Sequence, residues 1–456
     1  MKRHFCILLS CVLIISGLLS GFTLNTTAQS SGKSGNLSWC VTDGILKISG
    51  NGKMIDGEAP WGNSITEVII ENGVESIGEK AFLNITALKS ASIANTVKSI
   101  GAEAFFGCSK LSEIIIPGSV SYIGNKAFSE CTSLKNLEIS SGLEHIGSFA
   151  FYECTSLKSL KLPSSIKSIE ENAFSMCSEL EEIKIESGCE NYLSIDNCLI
   201  STENKTLILG CKNSIIPSDG SVTEIGNSAF YGAEGLKKLS IPDSIKKIGD
   251  EAFCWNFSLE SITFSSDIES IGVMAFLSCT SLKKIKLPSS LSYLGNEAFS
   301  NCIALTDAEI NGKFTVLPKN AFFACKSLKN IFLNKNITEI YTGAFLNCEN
   351  LENVYYEGNS SEWKNIVIGL KNDFIYDAAL TLNSKGLPLP FTVGDLDGDE
   401  GITDSDVLYL LKHTFRPEKY PVNQPCDYDG DGMVTDADAV YLLKHIFRPD
   451  KYPLSK

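Results

Sequence analysis

The hydrophobic positions of the chain recur with a period of 23 residues. Successive stretches read "IIIPGSVSYIGNKAFSECTSLKN" (114–136), "LEISSGLEHIGSFAFYECTSLKS" (137–159) and "LKLPSSIKSIEENAFSMCSELEE" (160–182). An Ala-Phe pair marks eleven regular copies, beginning at Ala81, Ala104, Ala127, Ala150, Ala173, Ala229, Ala252, Ala275, Ala298, Ala321 and Ala344. This period predicts a repeat architecture, because no single copy can bury its own apolar face and neighbouring copies must stack.

Each copy carries the motif L-x-x-L-x-L, for example at Leu157, Leu160 and Leu162. Its last part alternates between apolar and polar residues, which predicts a short strand. Strands of adjacent copies would pair in parallel about 4.8 Å apart. A second short apolar segment follows, such as Tyr122-Ile123-Gly124, and the Ala-Phe segment after it predicts a helical turn. The expected fold is a β-solenoid of parallel short strands, built from 23-residue coils with helical turns.

The regular array has an interruption and two atypical ends. Between Ala173 and Ala229 lie 56 residues, which is two periods plus ten, and the island at 183–214 predicts an irregular coil with a hairpin that turns near "STENKT". We expect a β-rich N-cap at 34–66, repeats at 67–353 and a C-terminal cap at 354–384, because the end coils of a solenoid must cover its core.

The period, the core motif I-G-x-x-A-F-x-x-C and both caps resemble the BspA-like leucine-rich repeat family of bacterial surface proteins. The resemblance covers roughly residues 35–384. It implies a leucine-rich-repeat solenoid, an extracellular location, a role in adhesion and protein binding, and no catalytic residues.

The N-terminus has the pattern of a secretory signal peptide at residues 1–28. Lys2 and Arg3 precede an apolar run from Phe5 to Leu24, and Thr26 with Ala28 offers a small-x-small cleavage site. A membrane anchor is the alternative, because the apolar run is just long enough to span a bilayer. No later segment is apolar enough to span one. The net charge of -15 argues against nucleic acid and anionic lipid as partners.

Sixteen cysteines in an exported chain would suggest disulfides, but their positions argue otherwise. Eight of them occupy one repeat slot, three residues after Phe: Cys108, Cys131, Cys154, Cys177, Cys279, Cys302, Cys325 and Cys348. Ile85, Ala233 or Asn256 fills the same slot elsewhere, so we expect buried thiols that pack as small hydrophobic groups, with disulfides or metal binding as the alternative. Cys189, Cys198 and Cys211 in the island are better disulfide candidates, although three thiols leave one over.

The C-terminal end contains a duplicated acidic segment. Residues 395–421 and 427–453 share 18 of 27 positions. A calcium loop of the EF type takes ligands from positions 1, 3, 5, 7, 9 and 12, with a backbone carbonyl at position 7. The first copy supplies Asp395, Asp397, Asp399, the Gly401 carbonyl, Thr403 and Asp406, and the second supplies Asp427, Asp429, Asp431, the Met433 carbonyl, Thr435 and Asp438. These oxygen ligands predict two bound Ca²⁺ ions in preference to Mg²⁺.

Charge supports a bound cation, although one loop departs from the pattern. From Asp395 to Lys456 there are 13 acidic and 7 basic residues, a net charge of -6 that two Ca²⁺ would bring to -2. Position 6 of the first loop, where Gly permits the sharp turn, holds Glu400. Acidic Asx-turn loops without metal remain the alternative.

A short amphipathic helix is expected after each loop. One apolar face would be formed by Val407, Leu410, Leu411 and Phe415 in the first copy and by Ala439, Leu442, Leu443 and Phe447 in the second. Neither loop is preceded by the entering helix of a full EF-hand. This loop-plus-helix pair resembles the type I dockerin over residues 394–453 of a small helical domain at 394–456, joined by a linker at 385–393.

The dockerin resemblance implies a cohesin module as partner. It also implies the contact residues, which are Asp404, Ser405, Lys412 and Arg416 in the first copy and Asp436, Ala437, Lys444 and Arg448 in the second. The two faces would be nearly equivalent, so either could dock, related by about 180°. The linker, with Pro388 and Pro390, would hold the two modules semi-rigidly apart.

No motif for catalysis is present in the sequence. After signal cleavage the histidines are His145, His413 and His445, and we expect all three to lie at the surface. The face formed by alternate strand residues is the expected binding surface, with the central column Ser92, Ile115, Glu138, Lys161, Lys184, Ser240, Thr263, Lys286, Glu309, Phe332 and Tyr355. A protein ligand fits this polar column better than a glycan, which would stack on Phe332, Tyr355 and Tyr356.

These features predict a secreted, non-enzymatic interaction protein, anchored by its dockerin to a cohesin-bearing scaffold or cell surface. Two alternatives remain open. One is a cellulosome-associated component of polysaccharide breakdown with a cryptic glycoside hydrolase or accessory activity. The other is an adhesin for host proteins.

Overall fold

The 23-residue period of the sequence reappears as paired strands in the computed structural model. The model describes residues 31–57, 59–387, 402, 404–415, 426, 428, 433–449 and 451–454, and only the backbone of 404 and 405. The chain divides into two units. The first contains the described residues up to Cys177 together with Glu186–Cys189, and the second contains Ser178–Ile185 and the described residues from Glu190 onward.

Short strands make up the first unit. They are β1 (Ser31–Ser34), β2 (Leu37–Thr42), β3 (Ile45–Gly50), β4 (Gly52–Lys53), β5 (Glu67–Ile70), β6 (Val74–Ile77), β7 (Ser90–Ile93), β8 (Ser99–Ile100), β9 (Glu113–Ile116), β10 (Tyr122–Ile123), β11 (Asn136–Ile139), β12 (His145–Ile146), β13 (Ser159–Leu162) and β14 (Ser168–Ile169).

Two sheets run through the first unit. One has the order β1-β2-β3-β5-β7-β9-β11 and the other β14-β12-β10-β8-β6-β4. The first three strands pair antiparallel. From β3 onward the strands pair in parallel, and from β5 and β6 onward each register advances by one period, as where Ile114 pairs with Leu137 and Tyr122 with His145. The predicted parallel strand pairing of adjacent coils is confirmed.

The described residues of the second unit form further strands of the same kinds and four helices. Its strands are β15 (Glu182–Ile185), β16 (Tyr192–Ile195), β17 (Cys198–Ser201), β18 (Thr206–Leu209), β19 (Glu224–Ile225), β20 (Lys238–Ser240), β21 (Lys247–Ile248), β22 (Ser261–Thr263), β23 (Ser270–Ile271), β24 (Lys284–Leu287), β25 (Tyr293–Leu294), β26 (Asp307–Ile310), β27 (Val316–Leu317), β28 (Asn330–Leu333), β29 (Glu339–Ile340), β30 (Asn353–Tyr356), β31 (Val367–Ile368) and β32 (Ala379–Thr381). The helices are α1 (Ser360–Lys364), α2 (Phe374–Asp377), α3 (Asp404–Phe415) and α4 (Asp436–Phe447).

The island forms an antiparallel meander. Strand β17 pairs antiparallel with both β16 and β18, with an irregularity between Leu199 and Ile200, and β18 then pairs in parallel with β19. The hairpin predicted near "STENKT" is confirmed, since its turn lies between Ser201 and Thr206. Further sheets in the second unit have the orders β16-β17-β18-β19-β21-β23-β25, β20-β22, β24-β26-β28-β30-β32 and β27-β29-β31.

The predicted helical turn at each Ala-Phe pair is wrong. Glu103, which precedes the pair at Ala104, has φ 55°, and a right-handed helix cannot continue through that conformation. The segment is instead a series of tight turns, in which the N–H of Ala104 donates to the Gly101 carbonyl at 3.3 Å. Alternate N–H groups of the segment donate to carbonyls of the next coil, as where Phe105 N–H donates to the Ala127 carbonyl at 2.7 Å.

The phenylalanines of these segments form a column inside each unit. Ring centroids of Phe105 and Phe128 lie 5.0 Å apart and those of Phe253 and Phe276 lie 5.1 Å apart, with the rings nearly parallel in both pairs. Such close coils leave no room for some side chains. A Cβ on Gly124 would lie 2.6 Å from the Ala102 nitrogen, which explains glycine in the I-G motif.

The repeated cysteines are buried, as predicted, but they do more than fill space. Each thiol in the slot donates to the carbonyl of the Phe in the preceding coil, for example from Cys131 Sγ to Phe105 O at 3.3 Å and from Cys279 Sγ to Phe253 O at 3.2 Å. Asn256 makes the same contact through Nδ2, at 2.6 Å from Phe230 O. The slot therefore favours a small hydrogen-bond donor.

No disulfide forms among the described cysteines. The three island candidates are free thiols, and each lies near a backbone carbonyl: Cys189 Sγ is 3.5 Å from Ile166 O, Cys198 Sγ 3.5 Å from Ile215 O and Cys211 Sγ 3.9 Å from Asn197 O. Burial raises the pKa of Cys108 and of Cys177 to about 12. These thiols remain neutral in the folded chain at neutral pH.

We predict that Asn256→Cys is more stable than Asn256→Val by about 1 kcal/mol, because the two side chains have similar size and only the thiol can donate to Phe230 O. The free energy of unfolding would be measured in urea for the chain without residues 1–28. If valine proved equal or better, the slot would need only an apolar group.

We also predict that, at pH 8.5, Cys40 is the most rapidly alkylated of the described thiols in the native chain, because it is exposed whereas the eight thiols of the repeat slot are buried. Rapid native labelling that persists in Cys40→Ser would contradict the burial.

The buried thiols also predict a pH dependence of stability. Because the pKa of Cys108 is raised in the folded chain, its thiol stabilises the fold below the unfolded pKa of about 8.5, and this stabilisation is lost as the pH rises toward 12. The melting temperature should therefore fall above pH 8.5.

Candidate functional site

The last two helices pack around a small core. It consists of Val407, Leu410, Cys426, Tyr428, Ala439 and Leu442. In each 12-residue helix the buried apolar residues are three apart, at 407 and 410 in α3 and at 439 and 442 in α4, so one narrow apolar stripe faces the core.

Two of the predicted metal ligands are buried at the start of these helices. Asp406 and Asp438, each at position 12 of its loop, are fully buried. One carboxylate oxygen of Asp438 accepts from Tyr428 N–H at 2.5 Å, and the other accepts from Thr435 N–H at 2.8 Å. Asp438 therefore joins the beginning of its loop to the first turn of α4.

Thr435 is the N-cap of α4. Its hydroxyl accepts from Ala437 N–H at 3.2 Å, and together with Asp438 it forms a capping box. Met433, the expected carbonyl ligand, lies two residues earlier with its side chain exposed. The predicted ligands at positions 7, 9 and 12 of the second loop thus belong to one capped turn.

The donor set in the described part of this module fits a hard cation. The Asp438 carboxylate, the Met433 carbonyl and the Thr435 hydroxyl are oxygen ligands of the kind that Ca²⁺ prefers. The remaining predicted ligands, Asp395, Asp397, Asp399, Gly401, Thr403, Asp427, Asp429 and Asp431, lie outside the described residues. Within the described residues no group of three or more His, Cys, Asp or Glu side chains could hold a metal ion.

The predicted docking residues are exposed where they are described. Lys412 in α3 and Asp436, Ala437, Lys444 and Arg448 in and after α4 face solvent. For Asp404 and Ser405 only the backbone in the first turn of α3 is described, and Arg416 lies outside the described residues.

The apolar face predicted for the two helices is partly wrong. Phe415 is 80% exposed and Phe447 77% exposed, and Leu443 is also exposed. Phe415 lies five residues after the buried Leu410, which at 3.6 residues per turn places it about 140° around the helix from Leu410. Both phenylalanines therefore point away from the core.

These exposed residues form the same pattern on both helices. On α3 the exposed Leu408, Lys412 and Phe415 lie at i, i+4 and i+7, and Val440, Lys444 and Phe447 repeat that spacing on α4. Residues at this spacing share one helix face. Each helix presents two apolar side chains and one lysine to solvent.

The strand residues that point away from the core form the second candidate surface. In the second unit Lys184, Ser240, Thr263 and Lys286 are exposed, as expected for this column. The aromatic cluster predicted at its end is mostly buried: Phe332 is 2% exposed, and Tyr356 points inward, with its ring 5.3 Å from that of Trp363. Tyr355 alone is partly exposed, so the described residues of this face do not form a row of rings on which a sugar could stack.

His145 has neighbours that superficially resemble a catalytic row. Its Nδ1 lies 2.9 Å from Ser168 Oγ, but its Nε2 is 3.8 Å from Glu144, which is too long for the hydrogen bond that would orient the ring. Glu144 also pairs with Lys167 at 2.9 Å. The side chain of His145 is half exposed on the sheet surface, close to the predicted position, and this row forms an ordinary polar surface.

The two helix histidines were expected at the surface beside the docking faces. His445 is only half exposed, and its Nδ1 lies 2.8 Å from the Tyr452 carbonyl, so it anchors the segment after α4. His413 is likewise half-buried. None of the helices in the described parts of the chain is long and apolar enough to cross a membrane.

Comparisons with known proteins agree with the repeat architecture. The family model described as "BspA type Leucine rich repeat region (6 copies)" matches residues 53–181, 98–217, 207–272 and 246–368. A search of curated proteins gave no match.

Several solved structures are similar to the chain. A leucine-rich repeat protein from Eubacterium ventriosum is 21% identical over 79% of this chain and 97% of its own, with a TM-score of 0.55. The pneumococcal vaccine antigen PcpA is 21% identical over 78% of this chain and 99% of its own, with a TM-score of 0.58. A leucine rich cell surface protein from Faecalibacterium prausnitzii is 26% identical over 74% of this chain and 97% of its own, with a TM-score of 0.51.

The first two similarities show a shared leucine-rich-repeat fold, which is the solenoid that the sequence period predicts. The matched repeat ranges together run from residue 53 to residue 368, which is more than half of the chain. The chain therefore belongs to the BspA-type leucine-rich repeat family.

Proposed function

We propose that the chain is a non-enzymatic extracellular interaction protein. Its repeat units bind another protein, and its C-terminal module is a calcium-dependent type I dockerin that attaches it to a cohesin-bearing scaffold or cell-surface complex. The observation that carries the dockerin assignment is the burial of Asp406 and Asp438 at equivalent positions of two duplicated loop-helix segments.

Burial of these two carboxylates has a physical explanation in bound calcium. A buried carboxylate is costly unless hydrogen bonds or a cation compensate it. At Asp438 two backbone N–H groups hold the carboxylate at the start of the loop, where a bound cation would offset its charge. When bound, Ca²⁺ would neutralise the acidic loops and add its binding energy to folding. Its proposed ligands are the loop residues given above.

The docking role is supported by the repeated helix faces. Leucine or valine, lysine and phenylalanine recur at the same spacing on α3 and α4, and large exposed phenylalanines are typical of a surface that a partner covers. Because both faces offer the same side chains, a cohesin could bind either one.

The protein-binding role of the repeats is supported by their fold and surface. Repeat solenoids present extended surfaces made from one residue of each coil, and here that column is polar and mixed in charge. The similarity to a leucine rich cell surface protein favours an extracellular location, in agreement with the signal peptide expected at residues 1–28.

We predict that the chain without residues 1–28 binds two Ca²⁺ in isothermal titration, and that Asp438→Ala removes one of them. This substitution deletes the carboxylate that closes the second loop onto α4. Asp436→Ala is the matched control, because Asp436 is exposed in the same turn and is not a proposed ligand. An absence of calcium binding, or an unchanged stoichiometry in Asp438→Ala, would refute the assignment.

We predict that the chain captures a cohesin-containing protein from the secretome of its native organism in calcium but not in EDTA. Lys412→Glu and Lys444→Glu alone should retain capture, because the other face remains intact. The double variant should weaken binding at least tenfold, since like charges or unpaired charges at an interface cost several kcal/mol. Equal capture in EDTA, or loss of capture in either single variant, would contradict two equivalent calcium-dependent faces.

A further inference from the structure

One part of the outward strand surface is buried. Along a strand, successive side chains point to opposite faces, so Phe332 faces away from Ile331 and Leu333, which lie in the core. The preceding residues of the same column are open, and the side chain of Lys286 is 74% exposed. At Glu309 the exposed fraction of the side chain falls to 13%, and Phe332 is 2% exposed. A further element must therefore cover β26 and β28 on the side away from the core.

The described segment that reaches this face follows the last strand. After β32, Asn383 N–H donates to Gly358 O at 3.0 Å and Ser384 N–H donates to Tyr356 O at 3.0 Å. A Cβ on Gly386 would lie 3.9 Å and 4.0 Å from the two carboxylate oxygens of Glu309. The chain thus passes from β30 back to β26, two strands earlier. We call Ser384–Leu387 the strap.

The strap has a specific local conformation. Ser384 Oγ donates to the Gly386 carbonyl at 2.7 Å, which closes a tight side-chain turn. Gly386 has φ 151°, a region that is essentially restricted to glycine. Lys385 between them is exposed, while Gly386 and Leu387 are half-buried. A single methyl group at Gly386 should therefore release the strap without altering the sheet.

We propose that the outward face of β26, β28 and β30 is a binding site for an extended peptide, and that the strap occupies this site as an internal competitor. Phe332 and Tyr355 are adjacent in the strand register and form an apolar floor, and Glu309 pairs with Lys286 at 3.1 Å along one side. The ligand is a partner segment that places a small residue opposite Glu309, as the strap does with Gly386, and an apolar residue on Phe332.

The site also connects ligand binding to the C-terminal module. The strap includes the first residues of the linker expected at 385–393, so its displacement would free four residues, which span at most about 14 Å when extended. A partner peptide would then occupy the repeats and at the same time lengthen the tether to the helices. This inference rests on the protein-binding role proposed for the repeats and is independent of calcium.

The test uses a fluorescent peptide with the sequence of residues 382–390, "LNSKGLPLP", and the chain without residues 1–28. We expect Gly386→Ala to bind it at least about tenfold more tightly than the native chain, because a tethered competitor acts at millimolar effective concentration. Lys385→Ala, which changes an exposed strap residue, is the matched control and should behave like the native chain. Equal anisotropy titrations for Gly386→Ala and the native chain would overturn the proposal.

The location of binding is tested in the released chain. Adding Phe332→Ala or Tyr355→Ala to Gly386→Ala should abolish peptide binding, whereas Lys161→Ala, in the same column of the first unit, should not. Hydrogen exchange provides a measurement that does not depend on the peptide. The Ser384 amide, bound to Tyr356 O, should be protected in the native chain and exchange faster in Gly386→Ala. A Ser384 amide unprotected in the native chain would refute the strap.

Other occupants give different results. Concentration-dependent dimers of Gly386→Ala would show that a second copy captures the released strap and would overturn the assignment to a partner peptide. Binding of oligosaccharides in place of the peptide would overturn it as well. Calcium titration and cohesin capture with the same proteins report on the C-terminal module, so failure of the strap is distinguishable from failure of the proposed anchoring.

Discussion

Each coil is held by the next through the backbone N–H groups of its Ala-Phe segment. A helix would use all of these donors internally, but here alternate donors point to the following coil, from Phe105 to Ala127 and from Phe128 to Ala150, both at 2.7 Å. The left-handed residue before each alanine makes this possible, because it redirects the backbone within the turn. The stacked phenylalanines and the thiol-to-carbonyl contacts follow from the same spacing, since each residue lies next to its own counterpart one period away.

This constraint explains which parts of the fold the sequence could predict. Because each residue packs against the equivalent residue of the next coil, the same type of side chain recurs at each slot. The sequence therefore predicted the period, the parallel strands and the burial of the cysteines. The turn conformation was not, because Ala-Phe flanked by polar residues suits a helix as well as a turn. The choice between helix and turn depends on the position of the next coil, which accepts the hydrogen bonds, and the sequence of one copy gives no information about that position. The donor role of the cysteines was detectable at Asn256 alone, where a polar side chain occupies an otherwise apolar slot.

The helical pair illustrates a different limit. Duplication of the loops identified Asp406 and Asp438 as predicted ligands, and both side chains are buried. The helical period also predicted an apolar face on each helix, but it could not show which apolar residues of that face lie in the core. With two short helices the core is small, and Phe415 and Phe447 extend beyond the stripe that it can cover. The misassigned residues are those that now support a docking surface, because side chains excluded from a core are the ones available to a partner.

The strap follows from the problem of ending a solenoid. Strands β31 and β32 are the last in their sheets, and a sheet edge with open backbone groups invites association unless it is covered. The chain that leaves β32 finds its nearest acceptors at the carbonyls of Tyr356 and Gly358, after β30. Bonding to them directs the chain away from the edge and across the outward face of earlier strands. The segment that ends the array thus reaches the outward face beside Glu309. A ligand for this face must therefore compete with the cap itself, and the sequence of the cap indicates what that ligand resembles.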